Sequence, residues 1–136
     1  MLVRRLDDIR GTDDEVDDGQ WVSTRFVLRR DGMGHSFHET FIRPGESLHM
    51  QYLNHFETVY CIDGEGEIED LTEGGIWHIS PGTLYALTDH QEHILRAFDD
   101  GLRLVCAFTP ALVGPETHDE RGSYPLLDDD GSVRRA

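Results

Sequence analysis

The residues able to do chemistry concentrate between Gly45 and His93. His49, His55, His90 and His93 stand there with Tyr52, Glu57 and Tyr85, set among short apolar runs and glycines. Side chains of these types carry protons and hold metal ions. An ordinary solvated face is dominated by Lys, Glu and Asp, so this mixture points to an enclosed polar site. Further candidates flank the stretch. Trp21 and Arg25 fall on one face of an alternating segment, which would point both inward, and His38 and Thr40 share a face of the next segment. Phe108, Glu116 and His118 follow near the end of the chain.

Such residues need rigid elements to hold them. Residues 21–29 and 36–42 alternate as strands, with Asp31-Gly32-Met33-Gly34 a hairpin-type turn between them. Residues 48–53, 58–62, 67–71, 76–79, 83–87, 94–98 and 102–108 read as further short strands separated by Gly, Asp, Asn or Pro, including a turn at 63–67. Residues 1–6 read as a short strand, 6–9 as a helical turn stopped by Gly11, and 12–19 as an acidic loop. No long amphipathic helix is predicted. The fold class expected is all-β, a sandwich or small barrel with one or two short helical turns. The whole chain, 1–136, is expected to form one domain, with about 120–136 a flexible tail or lid.

Composition narrows the partners. The chain has 27 acidic residues against 12 Lys and Arg, a formal charge of −15. That field repels phosphate backbones, so no nucleic-acid partner is expected. Solubility is the plain meaning of the acidity, and adaptation to high salt a sharper one. No apolar run reaches membrane-spanning length and the first residues lack a signal-peptide core, so a cytoplasmic protein without a membrane partner is expected. Cys61 and Cys106 lie in apolar strands and read as buried reduced thiols.

The chain resembles a cupin. Gly45, Glu57 and Gly64 keep the spacing of the first cupin motif, but Gln51 and Leu53 stand at its two His places. Gly82 fits the second motif, with Pro81 displaced by one place and Tyr85 at the His position. These departures resemble the ectoine synthase branch. Shared pieces are Trp21-Val22-Ser23-Thr24-Arg25, His55-Phe56-Glu57-Thr58-Val59-Tyr60-Cys61-Ile62, Gly64-Glu65-Gly66-Glu67, Tyr85-Ala86-Leu87 with His90 and His93, and Phe108-Thr109-Pro110. Several matches in one order are far more specific than any single motif.

The resemblance implies a cupin-type β-barrel (double-stranded β-helix, jelly-roll-like), a homodimer, and a lyase. The substrate would be N-γ-acetyl-L-2,4-diaminobutyrate, whose α-amine attacks its own acetamide with loss of water to give ectoine, a compatible solute made under osmotic stress. It also implies Fe(II) bound by Glu57, Tyr85 and His93, acting as a Lewis acid. Arg25 would hold the substrate carboxylate and Trp21 wall the pocket. Thr40 and Tyr52 match pocket positions that donate hydrogen bonds, Tyr52 also being a catalytic candidate. Phe108 would add an apolar wall. Glu116 and His118 would cover the pocket or help move protons. His55 and His90 would orient ligands, and His49 would be structural or supporting. Gln91 replaces an acid expected to meet the substrate amine.

Each residue alone has a plainer meaning: a surface acid, a core aromatic, a turn histidine, a surface ion pair, a polar tail. Three other functions compete. A diverged cupin enzyme would act on a related acylated diamine or hydrolyse ectoine-like rings. A non-catalytic cupin would bind a small solute. An iron dioxygenase would usually keep the His-rich set that Gln51, Leu53 and Tyr85 interrupt here.

Overall fold

In a computed structural model, residues 1–134 are described. The chain is all-β, with a four-residue helix α1 (Leu6–Ile9) and a 3-10 turn (Arg29–Asp31) as its only helical pieces among those residues. The strands are β1 (Glu15–Asp17), β2 (Trp21–Val27), β3 (Ser36–Ile42), β4 (Ser47–Met50), β5 (Phe56–Asp70), β6 (Ile76–Ile79), β7 (Leu84–Leu87) and β8 (His93–Thr109). All pair antiparallel in one eight-stranded sheet in the order β1-β2-β3-β8-β5-β6, with β4 also on β8 and β7 also on β5.

The scaffold is the pairing of β5 with β8, which runs from Phe56↔Thr109 to Asp70↔His93. Each long strand replaces two shorter strands expected from sequence. Glycines at 64, 66 and 101 read as turns, but the pairing continues through them with irregularities between Cys61 and Asp63 and between Gly64 and Gly66. A Cβ on Gly64 would stand 2.0 Å from the Gly101 carbonyl oxygen, and one on Gly66 would stand 2.1 Å from that of Arg96. The glycines therefore serve close backbone approach at a bend in a continuing ladder. Beyond the bend each strand takes a new neighbour. β8 carries β3 on its second half and β4 on its first, and β5 carries β7 on its first half and β6 on its second.

Alternation then builds the interior. Val59, Cys61 and Ile68 of β5 and Leu95, Ala97, Leu104, Cys106 and Phe108 of β8 are buried, joined by Ile42, Leu48, Met50 and Leu87. Both thiols are free and buried, as expected. Two expectations near the N-terminus fail. Residues 1–5 form no strand; Arg4 instead pairs with Asp31 at 2.8 Å. The acidic loop contains β1, which pairs with β2 from Glu15↔Thr24 to Asp17↔Val22. A short, charged edge strand gives almost no hydrophobic signal, and its charges oppose sheet-to-sheet aggregation.

The segment after β8 lies across the barrel. Leu112, Tyr124 and Leu127 are buried, the Gln51 amide donates to the Gly122 carbonyl at 3.3 Å, and Asn54 donates to the Tyr124 carbonyl at 3.0 Å. Residues 135–136, the end of the expected tail, lie outside the described residues. No helix among the described residues is long and apolar enough to cross a membrane.

Gly64→Ala should lower stability by more than about 3 kcal/mol, because backbone atoms must separate at the bend. Gly32→Ala, where an added Cβ meets open space, should cost about 1 kcal/mol for its positive φ alone. Urea denaturation of both variants measures the difference.

Candidate active site

The inner faces of six strands and the crossing segment enclose one cavity. In the β2–β3 register Trp21 opposes Ile42, Ser23 opposes Thr40 and Arg25 opposes His38. In the β5–β7 register Glu57 opposes Leu87 and Val59 opposes Tyr85, which puts Glu57 and Tyr85 on the same face. The cavity wall includes Trp21, Thr40, Tyr52, Glu57, Tyr85, Phe108 and His118, all expected site residues. It also includes His38, which shares the Thr40 face as the alternation predicts, and Cys106 and Tyr124, which sequence reasoning did not place in the site. Alternation along 102–108 could have found Cys106, which shares a face with Phe108. Tyr124 had no periodic signal to reveal it. The free space is small, about 30 Å3 for the centre of a water molecule.

Burial sets the electrostatics. Desolvation pushes the Glu57 carboxyl up to about 8, with the Cys106 thiol beside it as the opposing influence. Burial, and next the Glu57 charge, push the Tyr85 phenol well above its ordinary value. Both groups are thus protonated in metal-free protein at neutral pH, and a cation nearby would reverse that. The Tyr52 hydroxyl lies 2.8 Å from His118 Nε2. Burial, then Arg25, lower the His118 pKa to about 4, so this is a neutral Tyr–His pair able to exchange one proton.

His93 does not line this cavity; it lies on the wall of a second one of about 350 Å3, together with Leu87, Gln91 and Tyr85, and Tyr85 lines both. The His93 Nδ1 donates to the Gln91 carbonyl at 2.9 Å, which leaves a lone pair on Nε2. That Nε2 is buried with no partner. An oriented imidazole with a free buried lone pair, sharing a cavity wall with the Tyr85 phenol, has the chemistry of a ligand for a metal ion of hard-to-borderline character. Among the described residues no three His, Cys, Asp or Glu side chains gather tightly enough for a metal, so any set built on Glu57 and His93 would have to draw on another donor type, such as the Tyr85 oxygen.

Other expected residues sit elsewhere. Arg25 is fully buried but absent from the cavity wall. Its guanidinium donates to the Gly114 carbonyl at 2.6 Å and the Tyr124 hydroxyl at 3.4 Å, and lies 5.5 Å from the Tyr124 ring centre. Glu116 also stays behind the wall. Its two oxygens accept the Val113 and Gly114 amides at 2.7 Å each, 4.0 Å from Arg25, as a buried ion pair requires. Gln91 accepts the Asp89 amide and donates to Thr88, and does not line the barrel cavity. His49 is exposed against Glu92, outside the barrel. His90 stacks on Phe56 and donates to the Tyr52 carbonyl at 2.7 Å, while His55 packs edge-on to Phe108 without touching a candidate ligand.

The family model described as ectoine synthase matches residues 1–128. The chain belongs to the ectoine synthase family. L-ectoine synthase of Desulfatibacillum aliphaticivorans is 56% identical over 95% of this chain and 100% of its own. That of Halalkalibacterium halodurans is 50% identical over 96% and 100%. The crystal structure of ectoine synthase from P. lautus superposes with a TM-score of 0.84 at 48% identity, covering 93% of this chain and 91% of that one. A mutant of Bacillus subtilis oxalate decarboxylase, at 16% identity and a TM-score of 0.63 over 71% of this chain and 27% of its own, shares the fold alone. As an ectoine synthase family member the chain is a carbon–oxygen lyase.

The raised Glu57 carboxyl has a measurable consequence. Its folded pKa of about 8 exceeds its ordinary 4.5, so between those values the folded metal-free protein holds the proton more tightly than the unfolded chain. The Glu57 contribution to stability is therefore full below that window, falls as pH rises through it, and levels off above it. Denaturation of wild type and Glu57→Gln at pH 5 and pH 9 should show the wild type losing more stability toward high pH than the variant.

Proposed function

We propose that this chain closes N-γ-acetyl-L-2,4-diaminobutyrate into ectoine, with Fe(II) held by Glu57, Tyr85 and His93. The observation that carries this function is the meeting of Glu57, Tyr85 and the Tyr52–His118 pair in one buried cavity of an ectoine synthase family chain. In the reaction the α-nitrogen bonds to the acetamide carbon and the carbonyl oxygen departs as water. The α-ammonium and the amide together become an amidinium, so no proton is gained or lost overall. Iron(II), when bound, supplies a Lewis acid that makes the poor amide electrophile reactive.

The chain's own residues supply the rest. Neutral His118, hydrogen-bonded to Tyr52, can take a proton from the attacking ammonium and, through the Tyr52 hydroxyl, return one toward the departing oxygen. Phe108, Trp21 and Tyr52 wall the cavity, favour a folded substrate and exclude water. Thr40 adds a hydroxyl to the wall. The positive charge of Arg25 lies just behind, beyond the Tyr124 ring. The substrate is much larger than the free space, so the segment 112–127 that carries His118 and Tyr124 is the part that must yield on entry. A cytoplasmic homodimer completes the proposal. It is supported by exposed Ile76, Trp77 and Leu84 on the neighbouring β6 and β7, an apolar surface that a second copy would cover.

Anaerobic protein loaded with Fe(II) should convert the substrate to ectoine, followed by chromatography. Glu57→Ala and chelated enzyme should form none. Tyr52→Phe should keep its iron and lose about a hundred-fold in kcat. Iron-loaded, folded wild type that makes no ectoine would rule the function out.

A further inference from the structure

A polar relay runs behind the cavity wall of β2 and β3. Arg25 Nε donates to Ser23 Oγ at 3.3 Å, and the same oxygen lies 3.3 Å from His38 Nδ1. All three side chains are buried, at 1%, 2% and 1% exposure. A guanidinium can only donate, so Ser23 Oγ accepts from Arg25, and its own hydrogen is free to turn to a lone pair on His38 Nδ1. Burial, and next the Arg25 charge, keep His38 neutral. A neutral imidazole whose Nδ1 accepts carries its hydrogen on Nε2.

That Nε2–H is buried without a partner, on a ring that lines the barrel cavity. Trp21 Nε1–H is likewise buried, unpartnered and on the same wall. A buried donor with no acceptor is costly, and two of them on side chains that line one cavity point to a ligand that brings oxygen acceptors. The substrate offers one strong acceptor away from the reacting atoms, its carboxylate. Arg25 stands behind that wall and spends three of its five N–H groups on Ser23, Gly114 and Tyr124.

We propose that His38 Nε2–H is the specificity donor for the substrate carboxylate, fixed in that tautomer by the Arg25–Ser23 relay. The assignment rests on the function proposed above and deepens it. Arg25 acts on the carboxylate through the relay instead of by contact, which gives its buried charge a role at a distance.

The experiment compares iron-loaded wild type, His38→Leu and His38→Gln with two substrates. These are N-γ-acetyl-L-2,4-diaminobutyrate and N-acetyl-1,3-diaminopropane, which keeps the reacting groups and lacks the carboxylate. His38→Leu should raise KM for the acid about ten-fold or more, the loss expected for a hydrogen bond to a charged group, with kcat little changed. His38→Gln keeps an N–H donor and should recover most of that loss. For the analogue, wild type and His38→Leu should have equal kcat/KM. An unchanged KM for the acid, or an equal loss with both substrates, overturns the assignment. Nitrogen-15 NMR of the full chain without added metal reads the tautomer independently of turnover. Nε2–H supports the relay and Nδ1–H overturns it, whether or not the variants fold. Wild type that makes no ectoine defeats the function itself, an outcome distinct from a silent His38.

Discussion

Everything in this molecule hangs on two long strands that stay paired while they bend. β5 and β8 remain hydrogen-bonded from Phe56↔Thr109 to Asp70↔His93, and every other strand except β1 and β2 attaches to one of them. The bend needs backbones closer than a Cβ permits, which is why glycine occupies 64 and 66. Once bent, the ladder faces its alternate side chains inward from both halves, and a sheet becomes a container.

The container is hydrophobic almost throughout, and its chemistry follows from the exceptions. A carboxyl, three phenols and several imidazoles are held where water cannot solvate their charged forms. Each is driven toward neutrality: Glu57 and the tyrosines upward, His38, His93 and His118 downward. A site of neutral acids and neutral bases is poised to respond to a cation or to a charged substrate. The orphaned nitrogens of Trp21, His38 and His93 mark where such partners would be felt.

Alternation made most of the strands and the inward faces legible in the sequence. Trp21, Thr40, Tyr52, Glu57, Tyr85, Phe108 and His118 were singled out there, and the structure gathers them. What escaped did so for physical reasons. Gly64 and Gly66 look like turn residues because the same backbone freedom serves a hairpin and a bend. β1 has a single half-buried apolar residue, Val16, and so no pattern. Arg25 and Glu116 look like site groups by type, and only the third dimension shows them satisfying each other and the Val113 and Gly114 backbone behind the wall. His38 reads as one histidine among several until its two nitrogens are told apart.

The β5–β8 ladder also bears on how the protein reaches its native state. Glu57 and His93 occupy opposite ends of that ladder, and both abut the wall that Tyr85 provides. Residues so far apart along the chain come together only after large loops have closed, a topology associated with slow folding. Zipping either end alone leaves either Glu57 or His93 outside the finished wall. With the ligand set proposed above, ion capture would wait for completion of the whole ladder, and a bound cation would favour only the fully assembled chain over its partly zipped precursors.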